Sequence, residues 1–269
     1  MTYDWLIDGI EESWREIDRV VQLAGPEGYE KPTACPGWTV RDILSHVLGF
    51  ELLMQGIAPV PYDASGDPHV KNPIGEFNEA YVAERRSRPG DEVRREFVAV
   101  GAASIARLRT MTDEEWETVR PSPLGDHTSV FVFETRLLDT WIHLHDICDA
   151  LAMPLEDGGA GEEVVVNRFE AALPYVVGRK AALPEGSRAR VTLTGRLARL
   201  IDIEVVGGRG QVATTPGEPD VEIVTPTAVF WRRAAGRISP EAFLTSRDVH
   251  LEGDLALATR IVENVAVLI

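Results

Sequence analysis

Cysteine is scarce in this chain, with two in 269 residues, which excludes the disulfide framework of a small secreted domain. Cys35 precedes a Pro-Gly turn and Cys148 falls inside a helical pattern, so both are expected to be reduced. Lysine is almost missing. Lys31, Lys71 and Lys180 are the only lysines among 27 basic residues, and the arginine bias is read as genome composition rather than chemistry. Basic residues fall well short of the 43 acidic ones, leaving a formal net charge of −16. Such a surface repels phosphate backbones and anionic bilayers, so neither nucleic acid nor membrane is expected as a partner. Long apolar runs are missing too: no stretch approaches the ~18 residues that mark a membrane-crossing helix. The opening MTYDWLIDGIEESW is acidic and amphipathic, without the basic end and apolar run of a signal peptide. The expected compartment is the cytoplasm.

What is present is a hydrophobic content of 44%, enough for a sizeable core, on a length that suits one large or two modest domains. The first half reads as helices. Leu6, Ile10, Trp14, Ile17 and Val21 recur in steps of three or four, predicting a helix over 4–23. After the loop GPEGYEKPTACPGW, Thr39 is a good N-cap with Asp42 in a capping-box position, predicting a helix over 40–55. Further helices are expected at 74–88 and 92–110. The stretch TVRPSPLGDH reads as irregular. The run 129–151 is apolar around much of its circumference, as a central bundle helix would be. Beyond Met153-Pro154 a Gly-rich acidic linker (155–161) leads to a helix at 162–183. Strand signals follow at 189–194, 200–206, 211–214 and 221–225, then helical segments at 228–236 and 240–244. A short strand at 249–252 precedes a closing helix over 254–268. The fold class is therefore α+β: an all-helical domain over residues 1–154 and a smaller α+β domain over 155–269.

The strongest chemical signal is Asp139 and His143. Residues at i and i+4 share a helix face, and a carboxylate and an imidazole so placed can hold one divalent ion. A surface Asp–His contact is the plain alternative, but the apolar neighbours argue for burial, and a buried charge needs a partner or a metal. Asp146 extends the same stripe, as a fourth ligand or as an acceptor that orients an imidazole. His145 points away and reads as structural. His46, among Ile43, Leu44, Val47 and Leu48, is either a satisfied core histidine or a third ligand, and spacing alone leaves both open. Arg237 could grip a substrate carboxylate bidentately or sit in an ordinary surface ion pair. Trp38 and Trp141 read as core anchors. His69, His127 and His250 receive no role.

Two segments carry a resemblance. CPGWTVRDILSHVLG (35–49) and RLLDTWIHLHDI (136–147) resemble the two signatures of the metal-binding domain of the mycothiol-dependent maleylpyruvate isomerase family, one branch of the DinB-like four-helix bundles. FWRRAAGR (230–237) and VHLEGD (249–254) are similar to the closing half of the sterol-carrier-like α+β domain in which members often end. The resemblance implies His46, Asp139 and His143 as metal ligands. It departs at Asp139, where some members have Glu, so the reach here is shorter by one methylene. Two imidazoles and a carboxylate leave an ion an open position, as catalytic sites do, and zinc suits this donor set. The implied cofactors are a divalent metal, zinc foremost, and mycothiol or a similar low-molecular-weight thiol. The implied partners are that thiol and a small electrophile. The implied activity is a metal-dependent, thiol-using transferase or isomerase, with the C-terminal domain expected to complete the pocket. The alternative is a non-catalytic metal- and ligand-binding protein.

Overall fold

A computed structural model of the chain describes residues 2–122 and 125–268. It divides into two compact units, 1–162 and 163–269, so the division falls later than the 154/155 boundary expected from composition.

In the first unit the helices α1 (Asp4–Ala24), α2 (Val40–Met54), α3 (Pro73–Arg85) and α4 (Gly90–Leu108) appear close to where the sequence places them. The turn α5 (Asp113–Glu117), the strands β1 (Val119–Ser122) and β2 (Gly125–Thr128), and the helix α6 (Ser129–Ala150) follow. α1 packs on α6 and α4, and α2 packs on α4 and α6, closing a ring of four helices with α3 laid against α2. The apolar stripe of α1 is what closes it: Leu6, Ile10, Ile17 and Val21 are buried, and each such side chain contributes about 2 kcal/mol. α2 starts where it does because the capping box forms. The Thr39 hydroxyl accepts from the Asp42 amide (3.4 Å), and Asp42 accepts from the Thr39 amide (2.9 Å). α6 is capped by Thr128, whose hydroxyl accepts from the Phe131 amide, and it buries residues around most of its girth.

Two features differ from expectation. Thr112 and Glu115 form a second capping box that starts α5. The stretch TVRPSPLGDH, expected to be irregular, instead contributes two antiparallel strands that pair Val119 with Thr128 and Ser122 with Gly125; Pro123 and Leu124 of that stretch lie outside the described residues. The two strands have no alternating apolar face, so period-2 reading could not find them.

The second unit has a five-stranded sheet of order β5-β4-β3-β6-β7, with β3 (Arg188–Thr194), β4 (Arg199–Val206), β5 (Arg209–Val212), β6 (Val221–Pro226) and β7 (His250–Gly253). β3 and β6 run parallel and the other neighbours antiparallel. Ala189, Val191, Leu193, Ile201, Ile203, Val205, Val221 and Ile223 are buried at every second position, so one face carries the core. The helices α8 (Thr227–Ala234) and α10 (Leu255–Asn264) pack on it, and α9 (Pro240–Leu244) lies between them in sequence. The helix α7 (Gly159–Tyr175), within which the division between the units falls, gives way at Pro174 to a π turn over Val176–Lys180. Proline lacks the N–H that would continue the ladder. The turn lies so close to β5 that a Cβ on Gly178 would stand 1.9 Å from the Gly210 nitrogen, so only glycine fits there.

Candidate metal centre

The segment before α2 sets one wall of the site. Pro32 bridges to Thr39, and the Trp38 amide donates to the Cys35 carbonyl at 3.1 Å. Pro36 and Gly37 occupy the two central positions, and Gly37 has φ +79°, the signature of a type II turn. A side chain at Gly37 is excluded twice, since its Cβ would also meet the His69 ring at 2.5 Å. The turn delivers Trp38 and Cys35 beside the first two turns of α2, on which His46 stands. α6 supplies the opposite wall, with Asp139, His143 and Asp146 at i, i+4 and i+7 on one face.

The structure brings His46, Asp139 and His143 together. One donor atom from each lies within 4.8 Å of the other two. His46 Nε2 is 3.2 and 3.4 Å from the two Asp139 oxygens, and His143 Nε2 is 3.4 Å from Asp139 Oδ1. The two rings meet edge to face, with centroids 4.9 Å apart. Both imidazoles are buried, whereas the Asp139 side chain is 33% exposed, so the carboxylate marks the side facing solvent.

The site is built for positive charge. Burial pushes the Asp139 carboxyl upward, but the fields of His46 and His143 outweigh it and hold it well below the usual carboxylate range. Burial pushes His143 downward, and the negative charge of Asp139, together with hydrogen bonds to Asp139 and Asp146, outweighs it and holds the ring well above its ordinary value. For His46 burial wins, and its value is lowered. The donors thus hold an ionised carboxylate and a proton where a cation would be held.

Polar groups behind the triad fix each member. Arg136, fully buried, donates to Asp139 Oδ2 at 2.7 Å, to Glu51 at 2.9 Å and to the Val47 carbonyl. Trp38 lies over both imidazoles, at 5.0 Å from His46 and 6.4 Å from His143. It is half-buried at the rim of the site, not the core anchor that its sequence context suggests. Its indole N–H donates to Glu79 (2.8 Å), a wholly buried carboxylate that also accepts from His69 (2.9 Å) and pairs with Arg86 (2.6 Å). Burial pushes Glu79 up, yet these three partners hold it below its ordinary value. Sequence reading missed His69 and Glu79. Neither forms a motif, and only the fold brings residues 38, 69 and 79 together.

On the far side of His143, Nδ1 lies 3.0 Å from Asp146 Oδ2, and Cys35 Sγ lies 3.4 Å from that oxygen and 3.9 Å from Nδ1. Neither cysteine forms a disulfide among the described residues. His145 is buried beneath Trp141 (4.2 Å) with Asp157 at 3.7 Å, the structural role its spacing suggests. Arg237 stands in the second unit just after α8, partly exposed, with its guanidinium donating to the Ala235 carbonyl at 2.8 Å.

Fold and site together define a class: a helical bundle bearing a His/carboxylate triad, carried on the same chain as a sterol-carrier-type α+β unit. The profile of the mycothiol maleylpyruvate isomerase N-terminal domain matches residues 10–148, and that of the SCP-2 sterol transfer family matches residues 178–265. The chain belongs to the mycothiol maleylpyruvate isomerase family. It is similar to a crystal structure of the mycothiol-dependent maleylpyruvate isomerase, with TM-score 0.60 and 17% identity over 94% of this chain and 93% of that one. A histidine-to-alanine mutant of that enzyme aligns with TM-score 0.61 and 16% identity over the same shares. No curated protein sequence matches the chain. No helix among the described residues is long and apolar enough to cross a membrane.

Proposed function

We propose that this protein is a metal-dependent enzyme that uses a low-molecular-weight thiol of the mycothiol type to transform a small electrophile, as an isomerase or a transferase. One observation carries the reading: two buried imidazole nitrogens and a partly exposed carboxylate converge from α2 and α6 on a common point. Family membership adds the thiol, since the relatives of similar fold are described as mycothiol-dependent.

His46, Asp139 and His143 are the proposed ligands. This donor set suits zinc and also admits iron, nickel or manganese. A divalent ion there supplies a positive charge that favours thiolate over thiol. The protein's own groups do the rest. Arg136, itself paired with Glu51, holds the carboxylate in place, and Trp38 stands beside the imidazoles on one side. The thiolate would add to the electrophilic carbon of a carbonyl-conjugated double bond, whose electron pair moves onto the carbonyl oxygen as an enolate. Protonation of the enolate with the C–S bond kept completes a transfer, whereas rotation about the new C–C single bond and collapse of the enolate, which re-forms the double bond and expels the thiolate, completes an isomerisation. Arg237 is proposed to pair with a substrate carboxylate through its two-pronged guanidinium.

Elemental analysis of the purified full-length chain should find one divalent ion, lost in His143→Ala and in His46→Ala. Assays with mycothiol, zinc and a panel of electrophiles should then show turnover that needs both additions. Metal binding without turnover of any electrophile would instead favour a metal- and ligand-binding protein. For a carboxylated substrate, Arg237→Ala should raise KM far more than it lowers kcat.

A further inference from the structure

We infer that Asp146 is the positioning residue that sets the orientation and tautomer of His143, and that Cys35 steadies it by donating its S–H to the same carboxylate. The inference rests on the metal reading above.

The two nitrogens of His143 face different groups. Nε2 faces Asp139 at 3.4 Å, and Nδ1 lies 3.0 Å from Asp146 Oδ2. A neutral imidazole carries one N–H. A carboxylate at Nδ1 draws that hydrogen to its own side, which leaves the lone pair on Nε2, among the donors of the triad. Asp146 is buried, 2% exposed, and a carboxylate taken out of water needs donors of its own. Cys35 reaches it from the turn before α2, with Sγ 3.4 Å from Oδ2. The ring of His143 is thereby held from the side away from the triad, by a contact that also ties that turn to α6.

Cys35 Sγ, His143 Nδ1 and Asp146 Oδ2 also lie within 4.8 Å of one another, so a second cation held partly by sulfur is the competing arrangement. Two observations favour the positioning role. The 3.0 Å separation is that of an N–H···O hydrogen bond, and sulfur stands farther off, 3.9 Å from Nδ1. Ligation through both ring nitrogens would further require His143 to lose both its protons.

Cobalt(II) serves as a spectroscopic probe in the wild type, Asp146→Ala, Asp146→Asn and Cys35→Ser. Affinity is read by competition with a chelating dye, and the thermal unfolding of each metal-free protein is recorded alongside. The wild type should bind one cobalt per chain, with no sulfur-to-cobalt absorption in the near ultraviolet. Asp146→Ala should bind about 10–100-fold more weakly and shift the visible cobalt bands. Asp146→Asn keeps an acceptor oxygen and should fall between. Cys35→Ser keeps a donor and should stay within about threefold of the wild type. Two ions per chain, or a sulfur band that Cys35→Ser abolishes, would make these residues ligands and overturn the inference. So would an Asp146→Ala variant that binds cobalt as tightly as the wild type. A purely structural Asp146 would lower metal-free stability while leaving the bands and the Asn rescue unchanged, which also counts against it. A wild type that takes up no cobalt removes the metal reading and the inference together, whereas one that loads but ignores Asp146 sinks the inference alone.

Discussion

Arg136 is the residue on which the carboxylate of the triad leans. It is 2% exposed, as is its partner Glu51, and replacing it by leucine strands Glu51 as an uncompensated buried charge. Breaking such a pair costs about 3–5 kcal/mol, so urea unfolding of Arg136→Leu in the presence of chelator should show a loss of that size with an unchanged m-value. The titration of the triad gives a second prediction. Because His143 is raised and holds its proton, an incoming cation must displace it. Zinc affinity should therefore climb with pH until the raised value of His143 is passed, and fall as pH drops. Binding at neutral pH should release about one proton, read by calorimetry in two buffers of different ionisation enthalpy. Release of none would contradict the charge arrangement. In the metal-free fold the same shift stabilises below His143's unfolded value and is lost as pH rises through the folded one. Asp139, lowered, stabilises above its unfolded value and loses this as pH falls through the folded one.

At the scale of elements, the turn Cys35–Trp38 matters more than its length suggests. Gly37→Ala meets both a positive φ and the His69 ring, which should cost about 1–3 kcal/mol. It should also disturb the emission of Trp38 and weaken cobalt binding, because the same turn carries Cys35 and Trp38 to the site. The helices of the bundle were legible in the sequence by different signals: α1 by its apolar stripe at helical spacing, and α6 by being apolar around much of its girth. α2 was legible to the residue at its start because Thr39 and Asp42 cap it from side chains three positions apart. Asp139 and His143 were legible as a pair because one helix holds both. That His46 joins them was implied only by resemblance, since the meeting of α2 and α6 is a tertiary fact. The network of Trp38, His69, Glu79 and Arg86 left no local trace, and neither did the approach of Cys35 to Asp146.

At the scale of the molecule, two units with separate cores should respond differently to metal. Zinc at a hundred times its dissociation constant should stabilise the unit that binds it by about 2.7 kcal/mol through mass action. Calorimetry should therefore move the bundle's transition upward and leave that of the sheet-bearing unit in place; equal movement of both would argue against a site confined to the bundle. The triad takes one member from Val40–Met54 and two from Ser129–Ala150, so an ion gripped there acts as a clasp across the whole span between them. Stripped of it, that span can fray as a piece, exposing the arginines of Arg85–Arg88 to trypsin. If the proposed ion is bound, a chelator that removes it should thus turn the chain into a protease substrate.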